Sequence, residues 1–248
     1  MGREFLDPRH GAMTAMEKRH SDSTSELWSL LGAIASGERA RAIQLLEAAP
    51  RLAIEAARVG AMRETADAYF LGAIEHYVYA GDTALHIAAA AYAPDVAREL
   101  IRLGASPRAR NRMGAEPLHY AAVGNPGSRH WDPVAQAAVI DVLIDAGADP
   151  NAVDKRATAP IHCAVRTRCA AAVHVLLAHG ADPRAKTRTG SMPLHLAVQT
   201  TGRGGSGTTG ARTQQEEIIR LLIDHGARLT DKDGRGKTAD DRLRSRRA

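Results

Sequence analysis

The amino-acid sequence predicts an all-α protein assembled from repeated two-helix units. Three observations carry this prediction. Only nine of the 248 residues are aromatic, so the core must consist of Ala, Leu, Ile and Val, which suits close-packed helices better than a β-sandwich. A nine-residue pattern occurs four times, beginning at Gly81, Gly114, Ala157 and Gly190. Each copy leads to a Leu/Ile pair or a Leu pair and then to a closing Gly-Ala.

The four segments read GDTALHIAA, GAEPLHYAA, ATAPIHCAV and GSMPLHLAV. The closing glycines each lie ten residues before the next opening position, and Gly236 completes the series; they are Gly104, Gly147, Gly180 and Gly226. In the first unit, Leu85 and Ala88 share one helical face, and Val96 and Leu100 share the face of a second helix. Each unit is therefore predicted to contain two short amphipathic helices.

This pattern resembles the ankyrin repeat, in which G-x-T-P-L-H-x-A-A is followed by two short helices and then by L-L-x-x-G-A-D-P-N. The segment GADPNAVDK, residues 147–155, matches the turn of that family almost letter for letter. A two-helix unit of this length cannot bury its apolar stripe alone, so neighbouring units must stack. The resemblance implies an ankyrin-repeat solenoid of stacked helix-turn-helix units with β-turn fingers. We identify the chain as a bacterial-type member of this family with long insertions between the helices of some repeats.

The predicted elements follow one another in register. Residues 1–24 are expected to form a disordered tail, residues 25–243 a single ankyrin-repeat domain, and residues 244–248 a second tail. Within the domain we expect an N-terminal capping half-repeat at residues 25–50, an insertion with an added helix at 51–80 and a repeat at 81–113. These are followed by a repeat with an insertion at 114–156 and a further repeat at 157–189. A repeat with a Gly-rich insertion at 190–235 and a C-terminal cap at 236–243 complete the domain.

The insertions are located by the distance between closing glycines. That distance is 33 residues from Gly147 to Gly180, but 43 and 46 residues in the flanking intervals. Both surpluses fall between the two helices of a repeat, at residues 124–133 and at the Gly-rich stretch 200–212, which lacks the lysine and the preceding strand of a phosphate-binding loop. In the insertion 51–80, Ala66, Phe70 and Ile74 predict one face of a helix near the cap, followed by an extended segment HYVYAG.

No residue pattern predicts catalysis, a cofactor or a metal. The resemblance implies that the histidines at the repeated position form hydrogen bonds within and between repeats; they are His86, His119, His162 and His195. Equivalent positions lie on the order of 10 Å apart, too far for ligands that share one zinc ion. Thr83 opens the first repeat, but the later repeats lack this hydroxyl. Cys163 and Cys169 have neither a second pair nor a His/Asp arrangement beside them, which favours a reducing compartment and no nucleophile.

Composition indicates a soluble, cytoplasmic protein. No stretch approaches the length of a membrane span, and the N-terminal residues lack an apolar secretion core. The formal charge of +5 and a pI near 9.5 favour an acidic partner. We expect a monomer that binds no membrane.

The positive charge is concentrated in the four predicted fingers, which together carry +6; in order, they are residues 104–114, 147–157, 180–190 and 226–236. Stacking aligns equivalent finger positions into rows, so we expect a basic stripe along one edge of the concave face. Its predicted partner-binding cations are Arg108, Arg110, Arg112, Lys155, Arg156, Lys186, Arg188 and Lys232. Apolar and aromatic anchors are expected to add most of the affinity; they are Met113, Tyr77, Tyr79 and Trp131.

The resemblance implies a non-enzymatic adaptor that binds a protein partner, with an acidic segment, through the concave face and finger tips. The alternative is nucleic-acid binding by the same stripe together with the Arg-rich segment RLRSRR, residues 242–247. The absence of a recognition helix and of a familiar nucleic-acid-binding motif disfavours that alternative.

Overall fold

The computed structural model describes residues 15–64, 66–128, 131–199 and 209–244. Within them it contains eleven α-helices and one two-stranded antiparallel sheet, so the all-α prediction is confirmed. The helices are α1 (Ala15–Ala35), α2 (Arg39–Ala48), α3 (Ala84–Ala90), α4 (Pro94–Arg102), α5 (Pro117–Ala121), α6 (Pro133–Asp145), α7 (Pro160–Arg166), α8 (Ala170–Ala178), α9 (Pro193–Ala197), α10 (Thr209–Asp224) and α11 (Ala239–Arg244).

The helices stack in two layers. The inner row contains α1, α3, α5, α7, α9 and α11, each in contact with the next, and the outer row contains α2, α4, α6, α8 and α10. Consecutive inner and outer helices also pack against each other. Because each two-helix unit packs mainly on its neighbours in the row, the molecule is a solenoid.

The core follows the repeat. Leu85, Leu118 and Ile161 on the inner helices are fully buried, as are Leu100 and Leu143 on the outer helices. Alanines fill much of the rest of the same continuous cluster, which extends from Leu27 on α1 to Ala239 on α11. Small residues between the inner helices allow close backbone approach, and the leucines fill the space between the layers.

The repeated histidines connect adjacent repeats. The Thr83 N–H donates to His86 Nδ1 at 3.1 Å, which leaves Nε2 to carry the proton and donate to the Ala115 carbonyl of the next repeat at 3.2 Å. His119 and His162 repeat this pair of contacts, and His195 Nε2 contacts the Lys237 carbonyl. The structural role predicted for these histidines is thus confirmed in their contacts.

The fingers form an edge-to-edge row beside the inner helices. The Lys155 N–H donates to the Met113 carbonyl, and the Arg188 N–H donates to the Arg156 carbonyl, each at 3.0 Å. Gly190 has a φ of +74°, and an added Cβ would lie 2.5 Å from the Cα of Gly234 in the next finger. Only glycine therefore permits this close approach.

The insertion 51–80 differs from its prediction. Instead of an added α-helix it forms 3₁₀ turns at Pro50–Ala53, Ala66–Tyr69 and Gly72–Ile74, and a hairpin of β1 (Phe70–Leu71) and β2 (His76–Tyr77). The predicted helical face is wrong because the chain reverses at Gly72–Glu75, where Glu75 has a left-handed φ of 51°. The extended segment begins at β2 as expected, and the Trp28 and Tyr69 rings, 5.5 Å apart, place the insertion against the cap.

The chain ends and loops differ by a few residues. Residues 15–24, assigned to the disordered tail, form the first part of α1, while residues 1–14 lie outside the described residues. Helix α11 includes residue 244, which was assigned to the C-terminal tail. The insertion before α6 lies between the helices of its repeat as predicted. Of the Gly-rich stretch, residues 209–212 belong to α10 and residues 200–208 lie outside the described residues.

Candidate partner-binding surface

The predicted basic residues all lie exposed on the fingers. This holds for Arg108, Arg110, Arg112, Lys155, Arg156, Lys186, Arg188 and Lys232. Each finger is a turn in which a polar side chain caps backbone N–H groups; Asp154 Oδ1, for example, accepts from Arg156 and Thr158 at 2.7 and 2.8 Å. The repeat therefore presents the basic side chains in register along one edge.

Four of the arginines already have partners within the protein. Arg108 Nε donates to the Gly147 carbonyl at 2.6 Å, and Arg110 Nε donates to Glu116 Oε1 at 3.0 Å. Arg112 donates to the Ala61 carbonyl and lies over the Tyr79 ring, 5.3 Å from its centroid. Arg188 donates to the Lys155 carbonyl. These arginines connect fingers and neighbouring segments, so only part of their donor capacity faces outward.

The lysine side chains of the fingers have fewer contacts within the protein than the arginine side chains. Within the described residues, the ammonium groups of Lys155, Lys186 and Lys232 form no ion pair. Ion pairs in the fingers are formed instead by arginines, such as Arg110 and Arg184. Lys186 and Lys232 line a cleft of about 440 Å³ between the third and fourth fingers, whose floor includes Met192. Arg184 at its edge is paired with Asp231 at 2.9 Å. Sequence reasoning missed this cleft because it depends on the spacing between two fingers.

The predicted aromatic and apolar anchors are divided between locations. Met113 in the first finger and Tyr79 beside it are half-buried. Tyr77 packs on Phe70 within the hairpin, with ring centroids 4.8 Å apart. Trp131 lies at the other edge, where its Nε1–H donates to Gln136 Oε1 at 2.8 Å. The structure therefore places two of the four anchors next to the basic row and the other two elsewhere.

A second concavity lies where the inner helices end, opposite the fingers. It has a volume of about 390 Å³ and is lined by Glu75, His76, Tyr92, Tyr120 and Trp131 among others. Of these residues, only Trp131 was predicted from the sequence. The four aromatic residues between residues 69 and 79 marked the insertion in the sequence, but none of them is among the described residues that line the cavity.

A buried polar cluster lies beneath this concavity. The Asp82 carboxylate accepts from the Tyr120 hydroxyl at 2.8 Å, from Asn111 Nδ2 at 2.8 Å and from the Tyr79 N–H at 2.6 Å. Burial raises the pKa of Asp82, and these hydrogen bonds act against that rise. Burial lowers the pKa of His76 and lowers that of His86 to about 4, so both imidazoles are neutral at pH 7.

Neither the thiols nor the histidines form a reactive site among the described residues. Burial raises the pKa of the Cys163 thiol to about 11 and also raises the pKa of Cys169, which disfavours the nucleophilic thiolate. In the part of the chain that the structure describes, no three His, Cys, Asp or Glu side chains come together as a metal site. No helix found there is long and apolar enough to cross a bilayer.

Family models agree with this geometry. A model described as "Ankyrin repeats (3 copies)" matches residues 134–233, and one described as "Ankyrin repeat" matches residues 80–112. Together they cover more than half of the chain. The chain belongs to the ankyrin-repeat family. The matched ranges contain most of the four repeats recognised from the sequence; the main gap is residues 113–133, which hold the inner helix of the second repeat and the loop before α6.

Two curated relatives of this ankyrin-repeat protein are the cyclin-dependent kinase 4 inhibitor B proteins of Mus musculus and Rattus norvegicus. Each is 34% identical over 86 residues, which are 34% of this chain and 58% of the relative. The chain therefore spans somewhat more than half the length of the curated relatives it matches. Both are mammalian proteins, and the bacterial type stays a prediction.

The ankyrin repeats support the interpretation of this protein as a protein–protein interaction module. The two relatives are named as inhibitors of a kinase. Function belongs to the site rather than to the fold, so the finger row and the cleft between its last two members carry the proposal below.

Proposed function

We propose that this ankyrin-repeat protein is a non-enzymatic adaptor whose fingers and concave face bind an acidic segment of a protein partner. The observation that carries the proposal is the cleft between the third and fourth fingers. There Lys186 and Lys232 face a volume of about 440 Å³, and neither forms an ion pair with another described residue. An acidic side chain entering this cleft would meet the exposed ammonium groups of Lys186 and Lys232 beside Met192. Arg184 and Asp231, which also line the cleft, are paired with each other.

The finger charges mainly guide association. Exposed ion pairs contribute roughly 0.2–1 kcal/mol each, so the lysines favour approach and orientation of an acidic segment. Met113 in the first finger and Tyr79 beside it, both half-buried, offer apolar contact area for the remaining affinity. We further propose that the protein is a monomer in the cytoplasm, where its two free cysteines stay reduced.

The test uses a fluorescent peptide of alternating Glu and Gly, its Gln-Gly counterpart, and a single-stranded oligonucleotide of matched charge. Lys186→Glu with Lys232→Glu is expected to weaken binding of the Glu-Gly peptide about tenfold at low salt, and less at high salt. The matched control is Arg98→Glu with Arg220→Glu, which makes the same change in net charge on the exposed outer helices α4 and α10.

The alternatives give different results. Equal weakening by both double variants would mean that net charge, and not the finger cleft, determines binding. Preferential binding of the oligonucleotide, lost in the finger variant, would favour nucleic-acid binding over the adaptor role. Affinity capture from native cell extract with the wild type and the finger variant would then identify a partner that depends on the two lysines.

A further inference from the structure

The concavity opposite the fingers is built by the two parts of this chain that depart from the plain repeat. Its base consists of the ends of the inner helices α1, α3 and α5, around Gly37, Tyr92 and Val123. Its sides come from the hairpin turn of the insertion 51–80 and from the loop before α6. Asn125 Nδ2 in that loop donates to Glu75 Oε2 in the hairpin turn at 3.3 Å. The two insertions thus meet across the cavity.

Aromatic rings form much of the cavity wall. The polar atoms of Tyr92, Tyr120 and Trp131 already have partners, whereas the buried His76 Nε2 has none among the described residues. The Tyr92 hydroxyl donates to the Val123 carbonyl at 2.5 Å, and the Tyr120 hydroxyl donates to Asp82. Trp131 donates its indole N–H to Gln136, and the His76 ring lies 4.5 Å from the Tyr120 ring. Tyr92, Tyr120 and Trp131 therefore offer a ligand their ring surfaces rather than their hydrogen-bonding groups.

The charged side chain in the described part of the cavity lining is negative. Glu75 is an exposed carboxylate at the rim, and no lysine or arginine is among the described residues that line the cavity. His76 is held neutral by burial. A carboxylate beside several aromatic rings is the environment that a guanidinium group prefers, because it pairs with carboxylates and stacks on ring faces.

The backbone holds two of these residues in conformations that side chains rarely adopt. Glu75 and Tyr92 have φ values of 51° and 50°, in the left-handed region that favours glycine. The corresponding turn of the cap has Gly37, with a φ of 71°, at the same cavity. The equivalent turn between α7 and α8 has Arg168 with a φ of 62°, so the conformation of Tyr92 belongs to the turn of the repeat, and that of Glu75 to the hairpin turn.

We propose that this cavity is an anchor pocket for an arginine side chain of the protein partner, with Glu75 pairing the guanidinium and the Tyr92, Tyr120 and Trp131 rings packing against it. Its volume of about 390 Å³ lies at the lower end of the range for small-ligand pockets, which suits one long side chain. The pocket lies across the inner helices from the basic fingers. A partner with an acidic segment and an arginine would then be held at both edges and fixed in direction.

The experiment measures ligand binding at the pocket in the whole protein, with a probe too small to reach the fingers at the same time. The probe is N-acetyl-arginine methylamide, and its matched control is the citrulline analogue, which keeps the shape and lacks the charge. Indole N–H signals in a ¹H–¹⁵N spectrum report binding, because the chain has two tryptophans and Trp28 packs on Tyr69 outside the cavity lining. We expect a saturable shift of the Trp131 signal with a dissociation constant on the order of millimolar, and binding of the citrulline analogue about fivefold weaker or more.

Three variants complete the test. Glu75→Gln should weaken the arginine probe about fivefold and leave the citrulline analogue unchanged, whereas Asp67→Asn, an exposed carboxylate elsewhere on the insertion, should change neither. Lys186→Glu with Lys232→Glu should also leave the probe shift unchanged, which separates this pocket from the finger function.

Several results would overturn the proposal. They are a Trp131 signal that does not move, equal shifts with arginine and citrulline probes, or a Glu75→Gln variant that keeps wild-type affinity. Because Glu75→Gln keeps an acceptor for Asn125, the dispersion of its spectrum is expected to match that of the wild type.

Discussion

The buried histidine of the first repeat makes the folded protein sensitive to mild acid. His86 is fully buried, its Nδ1 accepts an N–H, and burial lowers its pKa from 6.5 to about 4. In the unfolded chain the same imidazole takes up its proton near pH 6.5. The unfolded state therefore binds more protons between these two values, so the free energy of unfolding is fully present above pH 6.5 and falls as the pH drops toward 4.

The size of this effect follows from the two pKa values. One unit corresponds to about 1.4 kcal/mol, so His86 alone removes about 3 kcal/mol once the pH is below 4, and about 2 kcal/mol by pH 5. Burial also lowers the pKa of His76, His119 and His162, which adds to the loss. The raised pKa of Asp82 acts in the opposite direction, because protonation of that carboxyl favours the folded state as the pH falls.

Urea unfolding between pH 7 and pH 5, followed by circular dichroism and by tryptophan fluorescence, measures this loss. His86→Gln removes one titrating group and should reduce the pH slope by about one proton, while His174→Gln on the exposed face of α8 should keep the wild-type slope. Stability that stays constant across this range would refute the reasoning. If the His86 variant does not fold, NMR titration of the wild-type imidazole replaces it, and protonation near pH 6.5 would be the contradicting result.

Three further predictions concern packing and thiol chemistry. Leu100→Ala, at a fully buried position, should lower the free energy of unfolding by about 2–5 kcal/mol, whereas Val134→Ala, at a side chain that is 76% exposed, should change it by less than about 0.5 kcal/mol. Gly190→Ala should lower the midpoint of thermal unfolding because its Cβ would collide with the next finger, while Gly210→Ala, with open space around it, should not. The raised pKa of the Cys163 thiol predicts slow reaction of the native protein with a thiol reagent at pH 8 and rapid reaction in urea; equal rates would contradict burial as the cause.

The sequence was most informative where the repeat supplied several agreeing signals. The Leu-His pair, the alanines and the closing Gly-Ala each mark the same inner or outer helix, and α3 through α10 lie where that register places them. The insertion 51–80 had one signal, the spacing of Ala66, Phe70 and Ile74. Spacing by four is also compatible with a hairpin, in which Phe70 faces Tyr77 across the strands. No local sequence feature distinguishes a helix from a hairpin in this segment. The packing of Tyr69 on Trp28 and the chain reversal at Glu75 determine that the hairpin forms.

The candidate site was predictable in its positions and not in its contacts. Register alone places the basic residues on the fingers, and all eight are exposed there. Their partners depend on segments far away in the chain, since Arg112 reaches the Ala61 carbonyl and Arg188 reaches the Lys155 carbonyl. The pocket at the opposite edge was missed because it exists only where the insertion and the loop before α6 meet, a juxtaposition with no signature in either segment alone.

These contacts separate two roles that a basic finger residue can have. Arg108, Arg112 and Arg188 each donate to a carbonyl of another repeat or of the insertion, so replacing one of them removes a positive charge and also a link between segments. In a solenoid, where stability depends on contacts between neighbouring units, a weakened link also lowers stability. Lys186 and Lys232 have no such contact among the described residues, so reversing their charge changes the surface potential while the stacking is kept. A loss of binding in the lysine variant, at unchanged unfolding free energy, is therefore a measure of recognition itself, whereas the same loss in an arginine variant combines recognition with the stability of the fingers.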